Sequence, residues 1–162
     1  MLDEAGVLYR RAVEIGERSL SPEDPDLAVW LNNLAGNPLL AMQGRYDEAG
    51  PLCMRSHAIR EKILGPQHPE VAASLHNLAE LNVAQGKHAE AAPLYERSQA
   101  IYEEMLGPEH PSYATVIHNW ALSLQAQGKP DEAGPLLERS LAIREKALGP
   151  EHPDIMLSLK SL

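Results

Sequence analysis

The residues in this chain best spaced for joint chemistry are carboxamides and imidazoles. Asn32 and Asn33, His76 and Asn77, and His118 and Asn119 occupy three equivalent places, 44 and then 42 residues apart. An Asn side chain both donates and accepts, so a row of them can grip the N–H and C=O groups of an extended ligand without reading its sequence. The same groups can tie neighbouring helices together, and the sequence leaves both uses open. His76 and His118 stand beside this row, where an imidazole could sense pH near its ordinary value of about 6.5 or stack on a ligand. Another set, His68, His110 and His152, recurs once per repeat. These predict helix N-caps in the place of Asp24, and no metal site, because a whole repeat separates each from the next.

Other chemistry is sparse. Cys53 is the one cysteine, which excludes an internal disulfide or a thiolate zinc site; it replaces Tyr95 at a packing position and predicts a buried, inert thiol. There is no Gly-rich phosphate loop, HExxH, GxSxG or paired-Cys motif, and the acidic residues follow the repeat along helix surfaces, so neither an enzyme nor a cofactor is expected. The 162 residues carry 14 basic and 23 acidic side chains, a net charge of −9. Such a chain, without a Lys/Arg cluster, repels phosphate backbones and anionic bilayers, so the expected partners are proteins rather than nucleic acid or membrane. The opening stretch MLDEAGVLYRRAVEIG is interrupted by charges, and no apolar run approaches the roughly 20 residues a bilayer needs, which predicts a cytoplasmic protein.

The elements that must position these residues follow from a repeat. LGPQHP from Leu64 returns as LGPEHP from Leu106 and again from Leu148, 42 residues apart each time, and LSPEDP from Leu20 precedes the first by 44. A fixed period of this size marks a stacked array. The two extra residues fall at or near Asn37 and Pro38, where Pro38 beside Gly36 should kink or split a helix. Each unit holds two amphipathic stretches. The first opens at Pro25, Pro69, Pro111 or Pro153, and stops at Gly44, Gly86 or Gly128; Val71, Leu75, Leu78 and Asn82 share one face. The second opens at Asp47, Ala89 or Asp131, which puts Pro51, Pro93 and Pro135 in a first turn, and stops at a left-handed glycine, Gly65, Gly107 or Gly149. Ala91, Leu94, Tyr95, Ser98, Ile101 and Met105 form its packing stripe. Trp120 replaces Leu78 and is expected in the core, whereas Trp30 could face a neighbouring helix or solvent. With 4% aromatic residues and no Phe, the core must rest on Leu, Ala, Ile and Val.

The strings LNNLA, QGRYDEAGPL, QGKHAEAAPLYERSQAI, HNWA and QGKPDEAGPLLERSLAIREKALGPEHP resemble the tetratricopeptide repeat, in the 42-residue variety of kinesin light chains and nephrocystin-type proteins. The resemblance covers essentially the whole chain. It implies an all-α fold, a right-handed superhelical solenoid of antiparallel helix pairs. Residues 1–162 would form one solenoid, with a lone second helix at 2–20, complete pairs at 25–64, 69–106 and 111–148, and a truncated first helix at 153–162. It also implies a non-enzymatic scaffold whose concave face, lined by first helices, receives an extended peptide or a helix. Asn32, Asn33, His76, Asn77, His118 and Asn119 would lie on that face, with Asn33, Asn77 and Asn119 at the family's ligand-gripping position. One departure matters. Kinesin light chains that bind acidic cargo peptides use basic groove residues, and this chain has no Lys or Arg between Pro69 and Gln85 or between Pro111 and Gln127. The expected partner is therefore a protein or peptide that is not strongly acidic and carries apolar anchors. Ile155, Leu159 and Leu162 have no following helix to cover them, so either the chain is a fragment of a longer solenoid or its half-repeats associate head to tail.

Overall fold

The computed structural model describes residues 2–36, 40, 44–149, 152, 155 and 158–161. Among these, the elements are seven helices: α1 (Leu2–Ser19), α2 (Pro25–Ala35), α3 (Tyr46–Leu64), α4 (Pro69–Ala84), α5 (His88–Leu106), α6 (Pro111–Ala126) and α7 (Pro130–Leu148). Each of α2, α4 and α6 packs on the helix that follows it, and the pairs stack through α3 on α4 and α5 on α6. The lone α1 packs on α2.

Local chemistry explains the starts of the first helices. Pro25, Pro69 and Pro111 each occupy the first turn, where a missing N–H costs nothing. The Asp24 carboxylate accepts from the Asp26 N–H at 2.9 Å, and Nδ1 of His68 and of His110 accepts from the N–H of Glu70 and of Ser112 at 3.1 Å. Helix α2 stops at Ala35, well short of Gly44, and the Gly36 N–H donates to the Asn32 carbonyl at 2.9 Å. The Asn37–Pro38 pair lies outside the described residues.

The second helices begin one residue ahead of the expected starts, at Tyr46, His88 and Pro130. The Arg45 carbonyl already accepts from Glu48 and Ala49, and the Lys87 carbonyl from Glu90 and Ala91. Pro51, Pro93 and Pro135 thus sit in the second turn, not the first, and each forgoes a bond after the ladder has been established. At the other end, Gly107 has φ 89° and ψ 159°, which is not the left-handed helical conformation expected of it. Pro108 forces the residue before it to an extended ψ while the turn demands positive φ, a combination open essentially to glycine alone.

The core runs along the array as rows, not as one centre. Val71, Leu75, Tyr95, Ile101, Tyr113 and Ile117 form its largest cluster. Inside each pair a buried serine of the second helix donates to a first-helix carbonyl: Ser56 to Ala28 at 2.7 Å, Ser98 to Ala72 at 2.8 Å and Ser140 to Ala114 at 2.8 Å. A satisfied buried bond of this kind stabilises by about 1 kcal/mol. The packing stripe of α5 ends at Ile101 and Tyr102; Met105, expected on it, is 50% exposed, as is its counterpart Ile63 at 41%. Trp30 lies against α1, and a Cβ on Gly16 would stand 2.7 Å from its ring, so this approach requires glycine.

Candidate functional site

The first-helix residues singled out by their spacing form a linked series of side chains. Asn77 Nδ2–H of α4 donates to Asn32 Oδ1 of α2 at 2.9 Å. One repeat later, Asn119 Nδ2–H of α6 donates to His76 Nε2 of α4 at 3.0 Å. Asn32 and His76 are thus equivalent acceptors and Asn77 and Asn119 equivalent donors, so these carboxamides tie adjacent first helices. The Asn33 side chain is half-buried and hydrogen-bonded to none of the described residues. His118, expected at the edge of the same face, is only 8% exposed, and its Nδ1 has no partner among the described residues. It is a core histidine because Val116, Ile117 and Ala121 around it are buried with it.

Burial sets the electrostatics of this series. It lowers the pKa of His76, against a smaller opposing pull from Glu80, whose Oε1 lies 3.9 Å from His76 Nε2. Burial likewise lowers the pKa of His118, and the nearby Arg144 guanidinium pushes the same way. Both imidazoles are held neutral, which is what Nε2 of His76 needs to accept from Asn119. The Tyr95 hydroxyl donates to Glu80, and burial followed by that bond raises the tyrosine pKa.

Beside Asn32 and Asn77 opens a cavity of about 350 Å³ between α2, α3 and α4, walled by Ala35, Ala49, Cys53 and Leu81, with Tyr46 and Glu80 at its polar rim. One of its walls is a small side chain, Cys53. Cys53 takes the place of Tyr95 and Leu137 in the later pairs, and in the next unit the Tyr95 ring fills the equivalent space, stacked on Trp120 with centroids 6.4 Å apart and 17° between planes. Trp120, as expected, belongs to the core, where it packs against two buried clusters. The sequence flagged Cys53 only as an inert thiol, and burial does push that thiol up to about 11. The missed signal was volume: aligning the repeats shows a ring lost at one position out of three. Glu80 was also legible as the charge standing where the other units carry Gly36 and Leu122.

Among the described residues, no group of three His, Cys, Asp or Glu could hold a metal ion, and no helix is long and apolar enough to cross a membrane. Stacked antiparallel pairs, tied by repeating side-chain bonds and carrying an open cleft beside Asn32 and Asn77, define a helical-repeat scaffold for other proteins. Tetratricopeptide-repeat family models match residues 39–104 and 114–154. Among solved structures, a Podosopora anserina protein described as a kinesin light chain with nearly identical TPR-like repeats is 35% identical over 99% of this chain and 75% of its own, with a TM-score of 0.81. A second crystal structure of that protein gives 0.79 at the same identity and coverage. BtubC (BKLC) from P. vanneervenii is 26% identical with a TM-score of 0.83, and this chain covers 63% of it. No curated protein sequence matches. The chain belongs to the tetratricopeptide-repeat family, of the kinesin light chain type. The fold is that family's right-handed superhelical solenoid of antiparallel helix pairs, and such repeats are interaction modules rather than enzymes.

Proposed function

We propose that the first-helix face binds an extended peptide segment or helix of a protein partner, with an apolar side chain seated in the cavity beside Asn32 and Asn77. The observation that carries this reading is the cavity itself. It lies in the first complete pair, has apolar walls and meets polar groups at its rim, the combination typical of side-chain recognition sites. The Asn33 side chain, hydrogen-bonded to none of the described residues, supplies a donor and an acceptor for ligand backbone. Among the described residues that line the cavity Glu80, at the rim, is the one that carries charge, and α4 and α6 hold no Lys or Arg, so the partner segment is neutral or mildly basic around its apolar anchor. Selection of displayed random peptides on the wild-type chain and on Cys53→Leu tests this. Recovered peptides should carry a large aliphatic residue next to Lys or Arg and should lose binding to Cys53→Leu. Selection of acidic peptides, or indifference to the filled cavity, would refute the reading.

A further inference from the structure

A buried guanidinium without an acceptor marks a second cleft. Between the start of α2, the end of α3 and the start of α4 lies a cavity of about 150 Å³, which shares no lining residue with the one beside Asn32 and Asn77. Val29, Ile63 and Leu64 wall it and are 41%, 41% and 38% exposed. The exposed Asp26 and Glu70 stand at its edge. Arg60 lines the same cavity, yet its side chain is only 11% exposed. Its Nε is buried and has no hydrogen-bond partner among the described residues, and Glu70 Oε2, 3.7 Å away, is an ion-pair partner beyond hydrogen-bonding reach. The other N–H groups of this guanidinium meet no described acceptor either.

Comparison of the repeats explains why these donors are open. Arg60 corresponds to Tyr102 and Arg144 in the later pairs. Tyr102 is buried and carries no charge to match, whereas Arg144 Nη1 donates to the Ser158 hydroxyl at 2.6 Å. Ser74 stands where Ser158 stands. Its hydroxyl, however, donates to the Val71 carbonyl at 2.8 Å and lies 2.8 Å from Nδ1 of His57. The acceptor that serves Arg144 is thus taken up in the first pair. Burial makes a charged group without hydrogen bonds costly, so a ligand that brings an acceptor to Arg60 removes that cost.

We propose that this cleft binds a main-chain segment of a protein partner, with a carbonyl oxygen accepting from Arg60 and one aliphatic side chain lying against Val29, Ile63 and Leu64. The charges select a neutral acceptor. Asp26 and Glu70 repel a carboxylate or phosphate that approaches Arg60, and Arg60 repels a cation drawn to those two acids. A peptide carbonyl meets neither penalty. It gains a hydrogen bond to a charged donor, which is stronger than one between neutral groups. Size agrees, because 150 Å³ is the liquid volume of about five waters, the bulk of one branched side chain with its carbonyl.

Two small probes titrated into the full 162-residue chain separate the ligand classes: N-acetylleucine N-methylamide, which is neutral, and N-acetylleucine, which carries a carboxylate beside the same side chain. NMR follows the Arg60 Nε–H signal and the methyl signals of Val29, Ile63 and Leu64. The amide should move all of them together and saturably. N-acetylleucine should bind about fivefold more weakly, the effect of one unit-charge repulsion in a wet site. Arg60→Met, checked for helicity by circular dichroism, should weaken amide binding by about tenfold, as expected when a hydrogen bond to a charged donor is lost; the three methyl-bearing residues report this without the guanidinium. Tighter binding of N-acetylleucine would make the cleft an anion site and overturn the neutral-carbonyl assignment. An Arg60 Nε–H signal in the wild-type chain that neither probe moves overturns the site itself, since solvent then satisfies the guanidinium. Amide binding to Arg60→Met as tight as to wild type removes Arg60 from recognition and overturns the proposal as well.

Discussion

Two junctions built from the same repeat differ in how they are closed. Where α4 and α5 meet α6, Tyr95 fills the space between helices, stacks on Trp120 and donates to Glu80. Where α2 and α3 meet α4, Cys53 stands in for that ring and a cavity of about 350 Å³ remains. Backbone and serine bonds are the same in both, since Ser56 and Ser98 reach their carbonyls at 2.7 and 2.8 Å. The pairing of helices thus tolerates a large change in side-chain volume at the junction. A repeat array can open a binding cleft in one unit without disturbing the next, because each unit answers only to its neighbours.

The largest test removes the closure. Tyr95 is fully buried, so Tyr95→Ala should cost about 3–5 kcal/mol, the range for deleting a buried aromatic side chain. Cys53→Ala at the equivalent site should cost about 1 kcal/mol or less, because one edge of that side chain already faces a void. Urea midpoints of the two variants check the contrast; equal losses would mean that the two junctions are packed alike after all. Next in size is Gly16→Ala. The new methyl meets the Trp30 ring, whose nearest carbon lies 2.7 Å from the Cβ position, and overpacking of this kind costs about 1–3 kcal/mol. The loss should appear as weakened hydrogen-exchange protection in α1 and α2, with α6 and α7 unchanged.

Filling the cleft reverses the sign. Cys53→Leu places at the open junction the residue type that Leu137 provides in the last pair, where it is 2% exposed. A filled cavity should raise stability by about 0.5–2 kcal/mol, read as a higher thermal midpoint, while the peptide-binding face loses its pocket. A variant that is less stable than wild type would show that the cavity walls cannot yield to a branched side chain.

Much of this architecture could be read from the chain because helix punctuation is local. Pro25, Pro69 and Pro111 with their capping Asp24, His68 and His110 need only neighbouring residues to act, and the 42-residue period needs only self-comparison. What could not be read were relations across helices. The packing stripe runs through Met105 in the sequence, yet nothing in α5 alone reveals that this side chain is half exposed. The row of Asn residues was visible, but the split of Asn77 and Asn119 into donors for Asn32 and His76 depends on the offset between adjacent first helices. His118 differs from His76 for a similar reason: one imidazole lies under its neighbours and the other accepts from the next repeat. The charges of the second helices read as a solvated face, whereas Glu61 and Arg97 come together only because successive pairs stack.

The smallest effect sharpens the same comparison through protons. At one position of the first helices the open junction carries Asn32, while the later units carry His76 and His118. Burial lowers both imidazole pKa values below their ordinary 6.5. The unfolded chain therefore takes up protons at these sites before the folded chain does. Stability should be level above about pH 7 and should fall as pH drops from about 6.5 towards the lowered folded values, the window in which the unfolded state binds more protons. Protonation of His76 also removes the lone pair that accepts from Asn119, so the link between α4 and α6 loosens in the same window, whereas the Asn77–Asn32 link between α2 and α4 has nothing to titrate. His76→Asn should recreate the open junction's rung at the central one and flatten the acid limb of the thermal midpoint against pH. His57 and His118 stay in that variant as residual sources of slope, since burial lowers their pKa values as well. An acid limb as steep as that of wild type would place the proton sensitivity at His57 and His118 instead, and would remove the central rung from the account of how the two junctions differ.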